Sequence, residues 1–180
     1  MTKIVLTFGL IAGAIAAALM WVLMRLVNGG TVNFDNGELF GYTTMIVALS
    51  MVFFGVKSYR DRNGGQIGFW KGVQVGLLIS LIAAVCYAAS WELYYPSIGS
   101  EFIQKYTAHY IDKLRSDGTP AAEVEKAQAD MDSFGEMYKN PLVRFPITML
   151  EILPVGVIVT LVSAGLLRRR EVLPAEPVTA

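Results

Sequence analysis

Four long apolar stretches dominate the pattern of hydrophobic and polar positions along the chain. They cover residues 4–27, 39–56, 67–91 and 142–167. A helix rises 1.5 Å per residue, so about 20 apolar residues are needed to cross a hydrocarbon layer of about 30 Å. The pattern therefore predicts an all-α integral membrane protein with four transmembrane helices. The first stretch is longer than the apolar region of about 7–15 residues found in signal peptides, so we expect it to be retained as a span.

A polar region at about residues 97–139 separates the third and fourth stretches and predicts a helical hairpin. Ser116-Asp117-Gly118 is expected to break it, with Thr119 capping the second helix and Pro120 at its first helical position. Such a hairpin has an amphipathic stripe that can dock on its own bundle, lie on the membrane surface or bind another protein. The stripe consists of Phe102, Tyr106, Tyr110 and Leu114, followed by Val124, Ala127, Met131, Phe134 and Tyr138.

The positions of Lys and Arg predict the orientation in the membrane. Cytoplasmic segments beside spans are enriched in basic residues. Lys3, the 57–66 loop and the 168–170 segment fall on one predicted side, which has eight Lys and Arg against three Asp and Glu. The opposite side has seven against twelve. We therefore expect both termini in the cytoplasm and the hairpin outside. Residues 1–170 form the predicted membrane domain, and 171–180 a disordered cytoplasmic tail.

Composition supports the membrane assignment and narrows the chemistry. The chain of 180 residues is 54% hydrophobic and 17% charged, whereas soluble domains have about 25% charged residues. Its net charge of zero predicts no nucleic-acid partner. Cys86 is the only cysteine and His109 the only histidine, so the sequence predicts no disulfide, metal site, cofactor or catalytic triad. We therefore expect a protein that is not an enzyme.

Glu151 is the most informative residue because it lies within the fourth stretch, about 5 Å from its midpoint. An ionisable group at this depth costs about 3 kcal/mol or more unless it is paired or neutralised. Arg144 and Thr148 share its helical face, and Pro154 is expected to kink the helix and open a small polar cavity to the outside. Two interpretations stay open. Glu151 is either a ligand, ion or proton site, or a packing contact that bonds a neighbouring helix.

Two further charged residues belong to this candidate intramembrane polar site. Arg25, near the outer end of the first stretch, is a candidate partner of Glu151, as is Arg144. Glu92 lies at the outer end of the third stretch, where it is expected to anchor the helix at the interface, with a pair to Arg25 as the alternative. The complete predicted site is Glu151, Arg144, Thr148, Pro154, Arg25 and Glu92.

Small residues at four-residue spacing predict close helix packing. Gly9 and Gly13 form one such pair in the first stretch, and Gly68, Gly72 and Gly76 form a stripe at the start of the third. We expect these glycines to pack helices within the bundle, with contact between copies in a homo-oligomer as the alternative.

Several strings also resemble a bacterial family of small four-span membrane proteins, found in Gram-negative groups and known only as a domain of unknown function. The resemblance covers about residues 3–170 and implies an inner-membrane location, but it supplies no activity, substrate or catalytic residue. Its strings are KIVLTFGLIAG at 3–13, GYTTM at 41–45, GVKSYRD at 55–61, GGQIGF at 64–69, NPLVRFP at 140–146 and LEILPVG at 150–156.

Three hypotheses for function follow. The first is a non-enzymatic accessory or interaction protein of the cell envelope, surrounded by the lipid bilayer, with the outer hairpin as the surface for a membrane or periplasmic protein partner. The alternative is a small transporter or ion-coupled permease that uses Glu151. A lipid-modifying enzyme is the third and least favoured hypothesis, because no nucleophile–base pair is visible in the sequence.

Overall fold

The computed structural model describes residues 1–169, without the side chains of Glu38 and Ser100. Within these residues the chain forms helices and no strand. The predicted tail at 171–180 lies outside the described residues. The helices are α1 (Thr2–Asn28), α2 (Phe34–Arg62), α3 (Phe69–Ser116), α4 (Ala121–Tyr138) and α5 (Pro141–Leu167).

Four helical segments are long and apolar enough to cross a membrane. They are α1, α2, the Phe69–Gly99 part of α3, and α5, with mean hydropathies between 1.9 and 2.2. The predicted all-α fold with four spans is therefore confirmed at this level. The chain is a multi-pass membrane protein.

The third span does not end where the hairpin was predicted to begin. Helix α3 is 48 residues long in total, and it continues through Pro96 to Ser116. Aromatic packing on both sides of Pro96 accounts for this, because the ring of Trp91 contacts the rings of Tyr95 and Phe102. Tertiary contacts thus outweigh the loss of one helical hydrogen bond at the proline. The first helix of the hairpin is consequently the end of α3, and we call residues 100–116 the α3 extension.

The turn between α3 and α4 matches the predicted break, but the predicted cap is wrong. Helix α3 ends at Ser116, and Gly118 has a φ of 76°, a left-handed conformation that glycine adopts without strain. Helix α4 begins at Ala121, with Pro120 rather than Thr119 at the N-cap and no side-chain cap. The carbonyl of Pro120 already accepts the amide of Val124 at 3.1 Å, so the helix starts without help from the Thr119 hydroxyl.

Helix α2 extends beyond its apolar stretch at both ends. Asn33 caps it by accepting the amide of Asn36 at 3.0 Å, and Lys57 pairs with Asp61 one turn later at 2.7 Å. Because polar residues at a helix end stay helical when capped or paired, the connections are shorter than the sequence predicted. They comprise residues 29–33 before α2 and 63–68 after it.

Close packing at small residues places α3 at the centre of the bundle. A Cβ atom added to Gly9 of α1 would lie 2.7 Å from the Cβ of Ile82 on α3, which a real side chain cannot do. On the other side of α3, Gly76 would meet Thr160 of α5 at 2.7 Å in the same way. The other glycines at such crossings are Gly13 against Cys86, Gly72 against Ala164, Gly55 against Phe8 and Ile79, and Gly156 against Ser80.

Gly68 differs from the rest of the predicted glycine stripe. No atom lies within 4 Å of the position its Cβ would take. It is the N-cap of α3, with an extended backbone conformation, and therefore lies before the helix rather than at a crossing.

Candidate functional site

Arg144 lies at the start of α5 and joins three helices. Its side chain is buried, and it forms a two-pronged ion pair with Glu92 of α3. Nε of Arg144 donates to Oε1 of Glu92 at 2.8 Å, and Nη2 donates to Oε2. Such forked pairs fix geometry as well as charge.

The Arg144 guanidinium makes further contacts. Its carbon lies 3.6 Å from the centroid of the Tyr95 ring, a cation–π contact. Nη1 donates to the carbonyls of Tyr138 at 3.1 Å and Lys139 at 3.2 Å, at the end of α4. The last carbonyls of a helix have no partner within it, so Arg144 satisfies the end of α4 while holding it against α3 and α5.

Thr148 continues this network one turn later. Its hydroxyl donates to the carbonyl of Arg144 at 3.0 Å and lies 3.1 Å from the hydroxyl of Tyr138. Because the Thr148 proton goes to the Arg144 carbonyl, the Tyr138 hydroxyl donates to the Thr148 oxygen, and burial raises the pKa of Tyr138 to about 12. Arg144, Thr148 and Glu92 thus form one connected structural cluster.

Glu92 pairs with Arg144, not with Arg25, and its expected interfacial anchoring stays a prediction. Arg25 and Pro154 lie apart from this cluster. Arg25 lies about 180° around α1 from the buried Ala16, so it points away from the bundle and forms no ion pair with a described residue. Pro154 lies on the exposed side of α5, and the helix continues through it.

Glu151 faces a cavity that is separate from the Arg144 cluster. The cavity has a volume of about 720 Å³, and its walls come from α1, α2, α3, residue Asp117 and α5. Among the described residues, none forms a hydrogen bond or ion pair with Glu151. The lining residues are Met20, Leu23, Met24, Val27, Phe34, Asp35, Gly37, Gly41, Thr44, Met45, Tyr87, Phe102, Tyr106, His109, Tyr110, Lys113, Leu114, Asp117 and Glu151.

The position of Glu151 on α5 explains why it reaches this cavity. It lies about 15 Å from the start of α5, near the middle of the span. At about 100° per residue, it is about 60° from the buried Thr148 and about 20° from the exposed Ile158. Glu151 therefore lies at the border between the packed face of α5 and the apolar face that would meet lipid.

Two polar contacts hold the walls together at the opposite end of the cavity. Asp35, in the first turn of α2, lies 3.3 Å from Nε2 of His109 and 3.3 Å from Nζ of Lys113, both on the α3 extension. We call Asp35, His109 and Lys113 the clasp. The neighbouring ring of Phe34 lies 5.7 Å from Phe102. The predicted stripe of the α3 extension faces this cavity, because Phe102, Tyr106, Tyr110 and Leu114 all line it, and Tyr106 and Tyr110 are 43% and 38% exposed.

Beyond Glu151 the bundle is closely packed. Ser80 meets Gly156 across α3 and α5, with its hydroxyl 3.4 Å from the Gly156 carbonyl. The neighbouring side chains of Leu49, Val52 and Ile152 are at most 1% exposed. The cavity thus extends from the clasp to Glu151 and ends at the core.

Neither the clasp nor the cavity walls could be recognised from the sequence. Asp35 and His109 are 74 residues apart, and only the packing of α2 against the α3 extension brings them together. The stripe at Phe102, Tyr106 and Tyr110 was visible as a pattern, but not the surface it covers.

Comparison with known proteins gives a family and no function. The comparison with curated proteins found no match, and the comparison with solved structures found none either. The family described as "Protein of unknown function (DUF4199)" matches residues 7–169, nearly the whole of the described chain. This match confirms the resemblance noted in the sequence, and the chain belongs to the DUF4199 family.

Proposed function

We propose that this is a non-enzymatic protein of the bacterial inner membrane that acts by binding, and that the cavity at Glu151 is its binding site. One observation carries the proposal. A carboxyl near the middle of a span opens into a cavity of about 720 Å³ and has no partner among the described residues. Cavities of about 300–1,000 Å³ that combine apolar walls with a few polar groups are typical of small-molecule sites.

A purely structural role for Glu151 has less support. A packing contact needs a hydrogen-bonding partner on a neighbouring helix. In this bundle that role belongs to Arg144 with Glu92, and to Ser80, whose hydroxyl lies 3.4 Å from that of Thr160. Glu151 faces open space instead.

The distribution of basic residues supports an orientation with both termini in the cytoplasm. The clasp and α4 would then lie on the outer side of the membrane, and the cavity would open toward that side. Because the α3 extension forms both a cavity wall and half of the hairpin, a bound ligand would alter the surface that the hairpin offers. We propose that this surface contacts a membrane or periplasmic protein.

A small transporter remains the second candidate, favoured by the depth of Glu151 in its span. The packed residues beyond Glu151 close the inner side of the cavity in this conformation, and they support binding over a continuously open channel. Flux of a solute into proteoliposomes that is lost in Glu151→Gln would favour the transporter.

The binding proposal is tested by filling the cavity. Gly41 lines it with no atom within 4 Å of its Cβ position, so Gly41→Phe places a ring in the cavity without a clash at Cβ. Gly165 is equally open but lies outside the cavity, and Gly165→Phe is the matched control. Native mass spectrometry of the purified proteins measures the small molecules they retain.

We expect the original protein and Gly165→Phe to retain a small molecule from the membrane near one per chain, and Gly41→Phe to lose it. Equal retention by all three folded proteins would contradict a site in this cavity.

A further inference from the structure

We infer that the ligand of this cavity is a membrane-soluble amine, whose protonated nitrogen pairs with Glu151 while its apolar body fills the space between α1, α2 and α3. The inference rests on the proposed function and adds the chemical class of the ligand.

The charges that line the cavity favour a cation. Asp35, Asp117 and Glu151 contribute three carboxylates, against one lysine, Lys113, and the histidine His109. Lys113 and His109 both contact Asp35, so both side chains are engaged at the clasp. Glu151 is left at the other end with no basic side chain in the described lining close enough to pair.

Neither Arg144 nor Arg25 is placed to form an ion pair with Glu151. The Arg144 guanidinium is already engaged by Glu92, Tyr95 and the carbonyls at the end of α4. Arg25 points away from the bundle. A carboxylate at this depth is costly without a counter-charge, and a ligand ammonium supplies one.

The walls around Glu151 suit an apolar body. Met20, Met24 and Met45 line the cavity, and methionine side chains adapt to ligands of irregular shape. The rings of Tyr87 and Phe102 add aromatic faces, which attract cations as well as alkyl groups. A small hydrophilic polyamine would leave these surfaces unmatched, whereas an amine with an alkyl or aryl body covers them.

The route into the cavity also points to a ligand dissolved in the bilayer. Glu151 is about 20° around α5 from Ile158, which is 62% exposed on the apolar outer face. A ligand lying among lipid chains can therefore reach the carboxyl from the side without passing the clasp.

The test compares three probes of equal chain length, decylamine, decanol and decanoate, by native mass spectrometry of the protein from an uncharged detergent. The variants are Glu151→Gln, Glu151→Asp and the control Asp112→Asn, which removes an exposed carboxylate outside the cavity. Size-exclusion chromatography establishes that each variant is folded. Glu151→Asp keeps the charge and is the conservative variant, and the comparison of decylamine with decanol in the original protein does not depend on whether Glu151→Gln folds.

We expect the original protein, Asp112→Asn and Glu151→Asp to bind decylamine at least about tenfold more tightly than decanol, since one desolvated ion pair is worth a factor of this order. In Glu151→Gln the preference disappears while decanol binding persists. Decanol binding as tight as decylamine binding in the original protein would overturn the amine assignment and leave the cavity as a binding site. Failure of all three probes to bind would overturn both proposals.

Discussion

Arg144 and Glu92, 52 residues apart in the chain, form the ion pair that fixes the start of α5 against α3. The same guanidinium holds the last carbonyls of α4. One side chain therefore sets the relative position of α3, α5 and the short helix α4 between them.

Replacing Arg144 by Met removes the cation and leaves the largely buried Glu92 carboxylate uncompensated. We expect the free energy of unfolding to fall by about 3 kcal/mol, the loss typical of breaking a buried pair from one side. The double variant Arg144→Met/Glu92→Gln should recover part of this loss, because no lone charge remains. Reversible unfolding in mixed dodecylmaltoside and dodecyl sulfate micelles measures it.

Lys139→Met is the matched control, because Lys139 pairs with Glu136 on the exposed side of the hairpin. It should change stability little. If Lys139→Met destabilised the protein as much as Arg144→Met, the joining role of Arg144 would be wrong.

The glycine crossings make a second prediction with an internal control. Gly76→Leu forces a side chain into Thr160 and should lower stability by about 2 kcal/mol or more, as overpacking does. Gly68→Ala places a methyl group in open space and should leave stability almost unchanged. The same micelle unfolding assay compares them. Equal losses of stability at both positions would indicate that Gly68 also packs against a neighbouring helix, as the sequence pattern alone predicted.

The clasp predicts a charge-reversal rescue. Asp35→Lys brings like charges together at Lys113 and should raise amide hydrogen exchange in the α3 extension a few-fold, since the contacts are solvent-exposed. Asp35→Lys/Lys113→Asp should restore protection. Asp112→Lys, on the same helix but away from the clasp, should have little effect beyond its own turn. A double variant as unprotected as the single one would argue against a direct contact.

The proposed orientation predicts which sites are reached from outside the cell. In a Cys86→Ala background, Asn36→Cys and Asp117→Cys should react with a membrane-impermeant maleimide in intact spheroplasts. Asn63→Cys, in the connection after α2, should react only after the membrane is permeabilised. Labelling of Asn36→Cys and Asn63→Cys from the same face would refute a span between them.

The spans were predictable because each apolar run is long enough to cross a bilayer. Buried helices of soluble domains have shorter apolar runs. The ends of α2 were harder to predict than the spans, although Asn33 is a recognisable N-cap residue. Polar residues beyond a span look like a loop in a hydrophobicity pattern, but they stay helical when capped or paired. The continuation of α3 through Pro96 was not predictable, because the aromatic packing around this residue is not visible in sequence.

The contacts of the site could not be predicted, because helical periodicity gives the face of a residue but not the helix opposite. Arg144 and Thr148 were correctly expected to share a face, and they share one network. The choice of Glu92 rather than Glu151 as the partner of Arg144 depends on how α5 is rotated against α3. The clasp of Asp35 with His109 depends likewise on how far α3 extends beyond its span.

Glu151 has an open carboxyl that faces the cavity, whereas the Glu92 carboxylate is engaged in its ion pair with Arg144. Dicyclohexylcarbodiimide, an apolar reagent for carboxyl groups in membranes, distinguishes them when labelled peptides are quantified by mass spectrometry. We predict modification of Glu151 and protection of Glu92, with Glu151→Gln abolishing the label. Modification of Glu92 with an unreactive Glu151 would contradict the account.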